Sequence, residues 1–144
     1  MIAGNIRTEI NKVKAEFSKR FKMKDLGEVK EILGLSINSD RVKHTLHLSQ
    51  TDYIYMILER FHLTNATPFT APMEVPYSSS VILDPDDRPC NAPYRQAIGS
   101  LIWLSVCTRP DICYTVGNLA QHCENRMNPH WNGVKRVFLS LIHI

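Results

Sequence analysis

The sequence predicts an α+β fold, in which a helix, a β-hairpin and a second helix precede a small bundle of three helices. Three observations indicate this order. Apolar residues recur at helical spacing towards both ends of the chain, they alternate at strand spacing between positions 33 and 48, and six of the eight prolines fall between Pro68 and Pro93. We therefore predict three parts: residues 1–66, a Pro- and Ser-rich linker over 67–93, and a helical segment over 94–144.

The first predicted helix carries one apolar stripe and most of the positive charge. Its stripe recurs every three or four residues: Ile6, Ile10, Val13, Phe17 and Phe21. Residues 7–24 hold seven basic side chains against Glu9 and Glu16. Such a density attracts polyanions by counterion release, although a solvated helix face is the commoner explanation of a basic run.

A hairpin and a second helix follow. Alternation through Leu33, Leu35 and Ile37, and again through Leu46 and Leu48, predicts two strands joined by a turn at residues 38–40, which read Asn-Ser-Asp. Ser49 and Asp52 have the spacing of a capping box. The expected apolar face of the second helix is formed by Tyr53, Met56, Ile57 and Phe61.

Three amphipathic helices are predicted after the linker. The first begins after Pro93, the second is capped by Thr108 with Asp111, and the third opens at Asn128 and Pro129. Their expected core-facing residues are Tyr94, Ala97, Ile98, Leu101 and Leu104; Ile112, Val116, Leu119 and Cys123; and Trp131, Val134, Val137, Phe138, Leu141 and Ile142.

Composition excludes several protein classes. The chain has 144 residues, 44% of them hydrophobic, which is typical of a globular protein and not of a disordered one. Its longest apolar run, residues 97–107, is about half of what a bilayer span needs. With no visible signal peptide and no C-x-x-C pair among the four cysteines, we expect an intracellular, reducing compartment, leave its identity open, and expect no membrane partner.

The residues show no recognisable catalytic constellation. The acidic residues are scattered, and neither a Walker-type loop nor a G-x-G-x-x-G turn occurs. Asp86 and Asp87 are adjacent in the Pro-rich stretch, where solvated turn residues are the commoner explanation than a metal site. A zinc site built from Cys113, His122, Cys123 and His130 is disfavoured, because the short ligand knuckles typical of structural zinc are missing.

Five ordered blocks give the sequence a specific resemblance. They are FKMKDLGEVKEILGLSI at 21–37, LHLSQTDYI at 46–54, PYRQAIGSL at 93–101, TRPDI at 108–112, and His130-Trp131 followed by KRV at 135–137. Together they resemble the reverse transcriptase region of copia-type retrotransposon polyproteins over nearly the whole chain.

The resemblance implies an RNA-directed DNA polymerase origin. In that family a Tyr-Val-Asp-Asp turn with two metal-binding aspartates lies directly before a segment similar to residues 1–4, so the catalytic acids, the fingers and most of the palm are not among these residues. We therefore expect no catalytic residue and no cofactor for this chain alone, although the intact family enzyme uses Mg²⁺. The missing palm and fingers of a related polyprotein are an expected partner.

The resemblance also assigns roles to parts of the chain. The hairpin is similar to the primer grip at the C-terminal end of the palm, and the helices after Pro93 are similar to the thumb. Nucleic acid, bound weakly and without sequence preference, is the other expected partner. The expected contacts are Lys19, Lys22, Lys24, Gly34, Lys135 and Arg136.

Two alternatives stay open beside an inactive polymerase segment. One is a nonspecific nucleic-acid-binding module derived from a retroelement. The other is a chain that does not fold stably, because the first helix and the hairpin would normally pack on palm strands and would otherwise expose their apolar stripes. For Gly34, a bulge or tight bend is as good an explanation as a nucleic-acid contact, and for Trp131 a core role is the stronger one.

Overall fold

A computed structural model describes residues 2–73 and 88–143, and within these it is an α+β structure, as predicted. Three strands form an antiparallel sheet in the order β1 (Glu31–Ile32), β2 (Leu35–Asp40), β3 (Thr45–Ser49). The described helices are α1 (Arg7–Arg20), α2 (Thr51–Arg60), α3 (Tyr94–Cys107), α4 (Cys113–Ala120) and α5 (Asn128–Ser140), with short 3₁₀ turns at Pro110–Ile112 and Leu141–His143.

The hairpin exists, but its predicted turn is wrong. Residues 38–40 belong to β2, where Asp40 pairs with Thr45, and the turn is formed by residues 41–44. The Asp40 carboxylate closes that turn by accepting hydrogen bonds from the N–H groups of Val42 and Lys43 at 3.0 and 3.1 Å. The turn-forming residue types therefore lie directly before the turn, because an Asp side chain accepts hydrogen bonds from backbone groups that follow it.

The start of α2 also differs from the prediction. No side chain caps the helix at Gln50, and the Ser49 hydroxyl instead accepts the Thr51 N–H at 3.2 Å, which replaces the predicted capping box. The buried face is Ile54, Ile57 and Leu58, whereas Met56 is 52% exposed. Ile57 of the predicted stripe is buried and Tyr53 and Phe61 pack against the core, so the prediction fails at Met56 and omits Ile54 and Leu58.

The three C-terminal helices follow the prediction closely. All five predicted core residues of α3 are buried, as are Ile112, Val116 and Leu119. The predicted cap of the second helix is wrong: a 3₁₀ turn precedes α4, and the Thr108 hydroxyl donates to Gln50 Oε1 at 2.6 Å. At the start of α5 the His130 ring caps the helix, since its Nδ1 accepts the Met127 N–H at 3.1 Å.

One hydrophobic core joins α2 to the C-terminal helices. Phe61 at the end of α2 stacks on Phe138 of α5 with ring centroids 4.9 Å apart, and the Tyr94 hydroxyl donates to the Leu119 carbonyl at 2.7 Å. No residue of α1 or of the sheet belongs to this core. The boundaries at residues 66 and 93 stay a prediction, but α2 packs with the helices that follow the second boundary.

Both ends of the Pro-rich stretch are attached to the helical part. The Phe69 N–H donates to the Leu139 carbonyl at 3.2 Å, and the Cys90 N–H donates to the Arg126 carbonyl at 3.1 Å. Residues 74–87, including Asp86 and Asp87, lie outside the described residues. Among the residues described, no helix combines the length and apolarity that a membrane span requires.

Candidate nucleic-acid interface

Three of the predicted phosphate contacts lie together at the end of α1. Lys19 is in the last turn of the helix, and Lys22 and Lys24 follow in the extended segment after it. All three are exposed, and none has a hydrogen-bond or ion-pair partner within the described ranges. These ammonium groups are therefore available to an external anion.

A neighbouring lysine is not available in the same way. Lys14 Nζ lies 2.8 Å from the Asp25 carboxylate. The hydrogen bond from Lys14, reinforced by one from the Gly27 N–H, holds the pKa of Asp25 below its usual value. This ion pair fixes the segment after α1 against the helix, whereas Lys19, Lys22 and Lys24, with Arg20 in the same helical turn, have no ion-pair partner within the described residues.

Gly34 forms a tight bend between β1 and β2. Leu33 has φ 53° and Gly34 has φ 74°, in a two-residue connection between the paired residues Ile32 and Leu35. Positive φ at both positions is the signature of the hairpin turn that matches strand twist, and glycine adopts it without strain. The backbone conformation of this turn thus explains why a glycine occupies position 34. The predicted nucleic-acid contact of Gly34 stays a prediction. Leu33, expected in a strand, is in the turn and 75% exposed.

Lys135 and Arg136 lie on α5, in a different part of the molecule. Arg136 Nε donates to the Ala71 carbonyl at 3.2 Å, and its guanidinium lies 4.7 Å from the centre of the Phe69 ring. Arg136 therefore helps to hold residues 69–71 on α5. Lys135 is half-buried and has no partner within the described ranges.

The described carboxylates do not fit the Mg²⁺ site of a polymerase. Asp25 binds Lys14, Glu28 binds Arg41 at 3.0 Å, and Asp111 accepts two hydrogen bonds from Arg109 at 2.9 and 2.7 Å. Those bonds lower the pKa of Asp111. Because two-metal chemistry needs carboxylates that converge, and within 2–73 and 88–143 no three potential ligands do, we derive no metal-dependent step from these residues.

The zinc ligands considered from the sequence are arranged as packing residues. His122 and His130 stack face to face with centroids 3.9 Å apart, and His130 is buried as the cap of α5. Cys113 is exposed at the start of α4. None of the four takes part in a potential metal cluster within the described part of the chain.

One polar residue that lines the same groove as Lys135 was not predicted from the sequence. Thr115 of α4 is 5% exposed and lines a groove of about 480 Å³ between α4, α5 and residues 69–73. Its position three residues after Ile112 and four before Leu119, on the apolar face of α4, was the available signal. A polar residue on a core-facing stripe needs a hydrogen-bond partner or a ligand.

The chain matches known polymerase sequences along most of its length. The family model for reverse transcriptase (RNA-dependent DNA polymerase) matches residues 1–75. The retrovirus-related Pol polyprotein from transposon TNT 1-94 of Nicotiana tabacum is 39% identical over 140 residues, which are 94% of this chain and 10% of that polyprotein. Polyproteins from transposons RE1 and RE2 of Arabidopsis thaliana are 36% and 33% identical, each over 95% of this chain and 9% of their own length.

These matches cover α1, the sheet and α2 by the family model, and the remaining helices by the polyprotein relatives. The chain spans about a tenth of the length of the curated relatives it matches. No solved structure matches it.

Proposed function

The chain belongs to the reverse transcriptase (RNA-dependent DNA polymerase) family, and on that premise we propose that it is the primer-grip and thumb-like part of a copia-type retrotransposon polymerase. The observation that carries the proposal is sequence identity of 33–39% to transposon Pol polyproteins over at least 94% of the chain. In this assignment the β2–β3 hairpin positions the primer end, and helices α3 to α5 lie against the duplex.

The exposed apolar surface of the N-terminal part supports a polymerase partner. Phe17 and Phe21 are 44% and 59% exposed, with ring centroids 6.2 Å apart, and Leu48 in β3 is 50% exposed. Surface of this kind, repeated along one face of α1 and across the sheet, is typical of an interaction site. We propose that it packs on the remaining palm of the polymerase.

The chain by itself is proposed to be inactive in DNA synthesis. Among its described carboxylates, Asp25, Glu28 and Asp111 bind basic side chains and Asp40 accepts hydrogen bonds from backbone N–H groups, and the family's Asp-Asp pair is not among its residues. We expect no nucleotide incorporation on a primed template with Mg²⁺. Incorporation that survives further purification would contradict this part of the proposal.

Complementation tests the polymerase assignment directly. The upstream reverse transcriptase segment of the tobacco relative would be co-expressed with this chain, and DNA synthesis measured for each part and for the pair. We expect activity only for the pair, and we expect Phe17→Asp to abolish it by placing a charge in the proposed contact. Tyr55→Asp, at an exposed position of α2, is the matched control and should retain activity.

A specific observation favours a second role, nonspecific nucleic-acid binding. The three unpaired lysines around the end of α1 offer phosphate contacts, and such contacts position a duplex without reading its sequence. Nonspecific binding of this kind has a dissociation constant of about 10⁻⁴ to 10⁻⁶ M at physiological salt.

Fluorescence anisotropy with a labelled duplex tests this role. Replacing Lys19, Lys22 and Lys24 together by Gln should weaken binding to every sequence equally and flatten the logarithmic salt slope by up to about three units, since each phosphate contact contributes close to one. Arg60→Gln, in α2, removes a charge outside both the basic segment and the helices proposed to lie against the duplex, and serves as the control. An unchanged salt slope in the triple variant would show that the basic segment is a solvated face.

A further inference from the structure

We propose that the groove beside α5 binds one unpaired nucleotide, with the base in the groove and a phosphate at its rim. This inference rests on the proposed function, because it gives the nucleic-acid surface a site for a base. At about 480 Å³ the groove falls within the size range of ligand pockets, about 300–1,000 Å³. Its ligand class follows from its walls, its floor and its rim.

The walls suit a flat apolar ring. Phe69, Pro72 and Pro129 all line the groove. The Phe69 segment is held in place by the hydrogen bond from the Phe69 N–H to the Leu139 carbonyl and by the Arg136 side chain. Because this part of the groove is held in place before a ligand binds, binding loses less conformational entropy.

The floor provides a hydrogen-bonding group without a partner. Thr115 is 5% exposed, and its hydroxyl has no hydrogen bond within residues 2–73 and 88–143. The hydroxyls of Ser100 and Ser105, in comparison, bond backbone carbonyls of their own helix. A hydroxyl that both donates and accepts fits the mixed edge of a nucleobase, whereas a purely apolar ligand would leave it unsatisfied.

The rim provides positive charge. Lys135, which lines the groove, has no partner within the described ranges, and Arg136, which holds Ala71 and Phe69, also lines it. A planar heteroaromatic ring joined to an anionic phosphate satisfies the walls, the floor and the rim together. Such a ligand has two sources, a free nucleotide or an unpaired terminal nucleotide of a strand.

Anisotropy with the full chain separates these sources. The probes are a blunt duplex, the same duplex with one unpaired terminal adenosine, the same overhang without its base, and free dAMP as competitor. Because stacking of a base contributes measurably to single-strand binding, we expect the overhang with a base to bind roughly five- to tenfold more tightly than the abasic one. If free dAMP binds and no duplex does, the groove is a nucleotide site and the nucleic-acid role is refuted.

Two variants report on the floor and the rim. Thr115→Val should reduce the gain from the base, by the hydrogen bond of the hydroxyl but not by the stacking, while leaving unfolding stability unchanged or higher, and Thr115→Ser should retain the full gain. Lys135→Gln should weaken the base-bearing and abasic probes equally. Ser105→Ala, on a hydroxyl bonded within α3, controls for loss of any buried hydroxyl.

Three outcomes would overturn the inference. Equal affinity for the base-bearing and abasic overhangs, with salt-dependent binding of the blunt duplex intact, would refute the groove and leave the proposed function standing. Absence of binding by every probe, including dAMP, would refute both. Unchanged affinity for the base-bearing overhang in Thr115→Val would show that the groove does not hold the base.

Discussion

Residues 2–49 and residues 50–143 use similar apolar periodicity with opposite results. In the first region, α1 carries a regular stripe and the strands alternate, yet no described residue before Gln50 is fully buried. In the second, the same kind of spacing places Leu101, Leu119 and Phe138 at 0% exposure. Periodicity therefore specifies an element and its apolar face, and burial depends on whether a second face is available.

The contrast has a physical cause in the partners of each element. Helices α2, α3, α4 and α5 supply four apolar faces that close on one another around a shared core. Helix α1 and the sheet supply faces that meet no such core, and α1 is attached to its own C-terminal extension by the Lys14–Asp25 ion pair. An exposed ion pair contributes little to stability because solvent screens it, far less than a buried aromatic ring.

The largest expected effect compares one phenylalanine from each region. Phe138→Ala removes a ring at 0% exposure and should lower the free energy of unfolding by about 3–5 kcal/mol. Phe17→Ala removes a ring that is 44% exposed and should change it by no more than about 0.5 kcal/mol. Urea denaturation of the full chain, followed by circular dichroism, measures both. Equal losses would mean that α1 is packed against a core after all.

A smaller effect is expected from a single hydroxyl. Tyr94→Phe deletes the hydrogen bond to the Leu119 carbonyl, which keeps the His122 N–H as a second donor, so the loss should be about 1 kcal/mol. Tyr55→Phe, at a position 59% exposed, is the matched control and should be neutral. If both variants unfold at the parent midpoint, the Tyr94 bond does not contribute to the core's stability.

The smallest effect is a pH dependence that also differs between the regions. The pKa of Asp111 is lowered in the folded chain, chiefly by the hydrogen bond from Arg109, so its contribution to stability is complete above the unfolded pKa, near 3.8. That contribution is lost as the pH falls through the lower folded value. Because the Asp111 side chain is 54% exposed, solvent screening keeps the contribution below about 1 kcal/mol.

Acid titration of unfolding checks this sign. Asp111→Asn should flatten the decline in stability below pH 4, by removing a group that binds a proton more readily when unfolded. The pKa of Asp25 is lowered in the same direction, by Lys14, but this pair lies outside the core, so Asp25→Asn should leave the cooperative transition unchanged. A larger change in the acid dependence of unfolding from Asp25→Asn than from Asp111→Asn would contradict this difference between the two regions.

The sequence predicted elements better than it predicted their ends. The α3 stripe was predicted residue by residue, because Tyr94, Leu101 and Leu104 belong to a long helix whose face repeats several times. The starts of α3 and α5 were predicted, but the predicted side-chain caps were wrong: Thr108 bonds Gln50, which is 58 positions away, in place of capping the next helix. Long-range partners compete with local ones, and spacing contains no information about them.

The residues of the candidate site also divide into those that the sequence predicts and those whose role depends on packing. Lys19, Lys22 and Lys24 were found because charge density is visible in the sequence, and their exposure agrees with solvated lysines. The engagement of Arg136 with Ala71, and the unpartnered hydroxyl of Thr115, depend on how α4, α5 and residues 69–73 pack. No periodicity distinguishes Arg136 from Lys135, although one holds a chain segment and the other does not.

The α+β class, the order of the elements and the family can be predicted from the amino-acid sequence, because they depend on local periodicity and on ordered blocks of residues. The packing of the folded chain is needed to see that α2 shares a core with α3, α4 and α5, and that α1 and the sheet do not. The reason is that an apolar side chain is buried only where two surfaces come together. The spacing of apolar residues specifies the first surface, and the tertiary packing of the chain determines whether a second surface covers it.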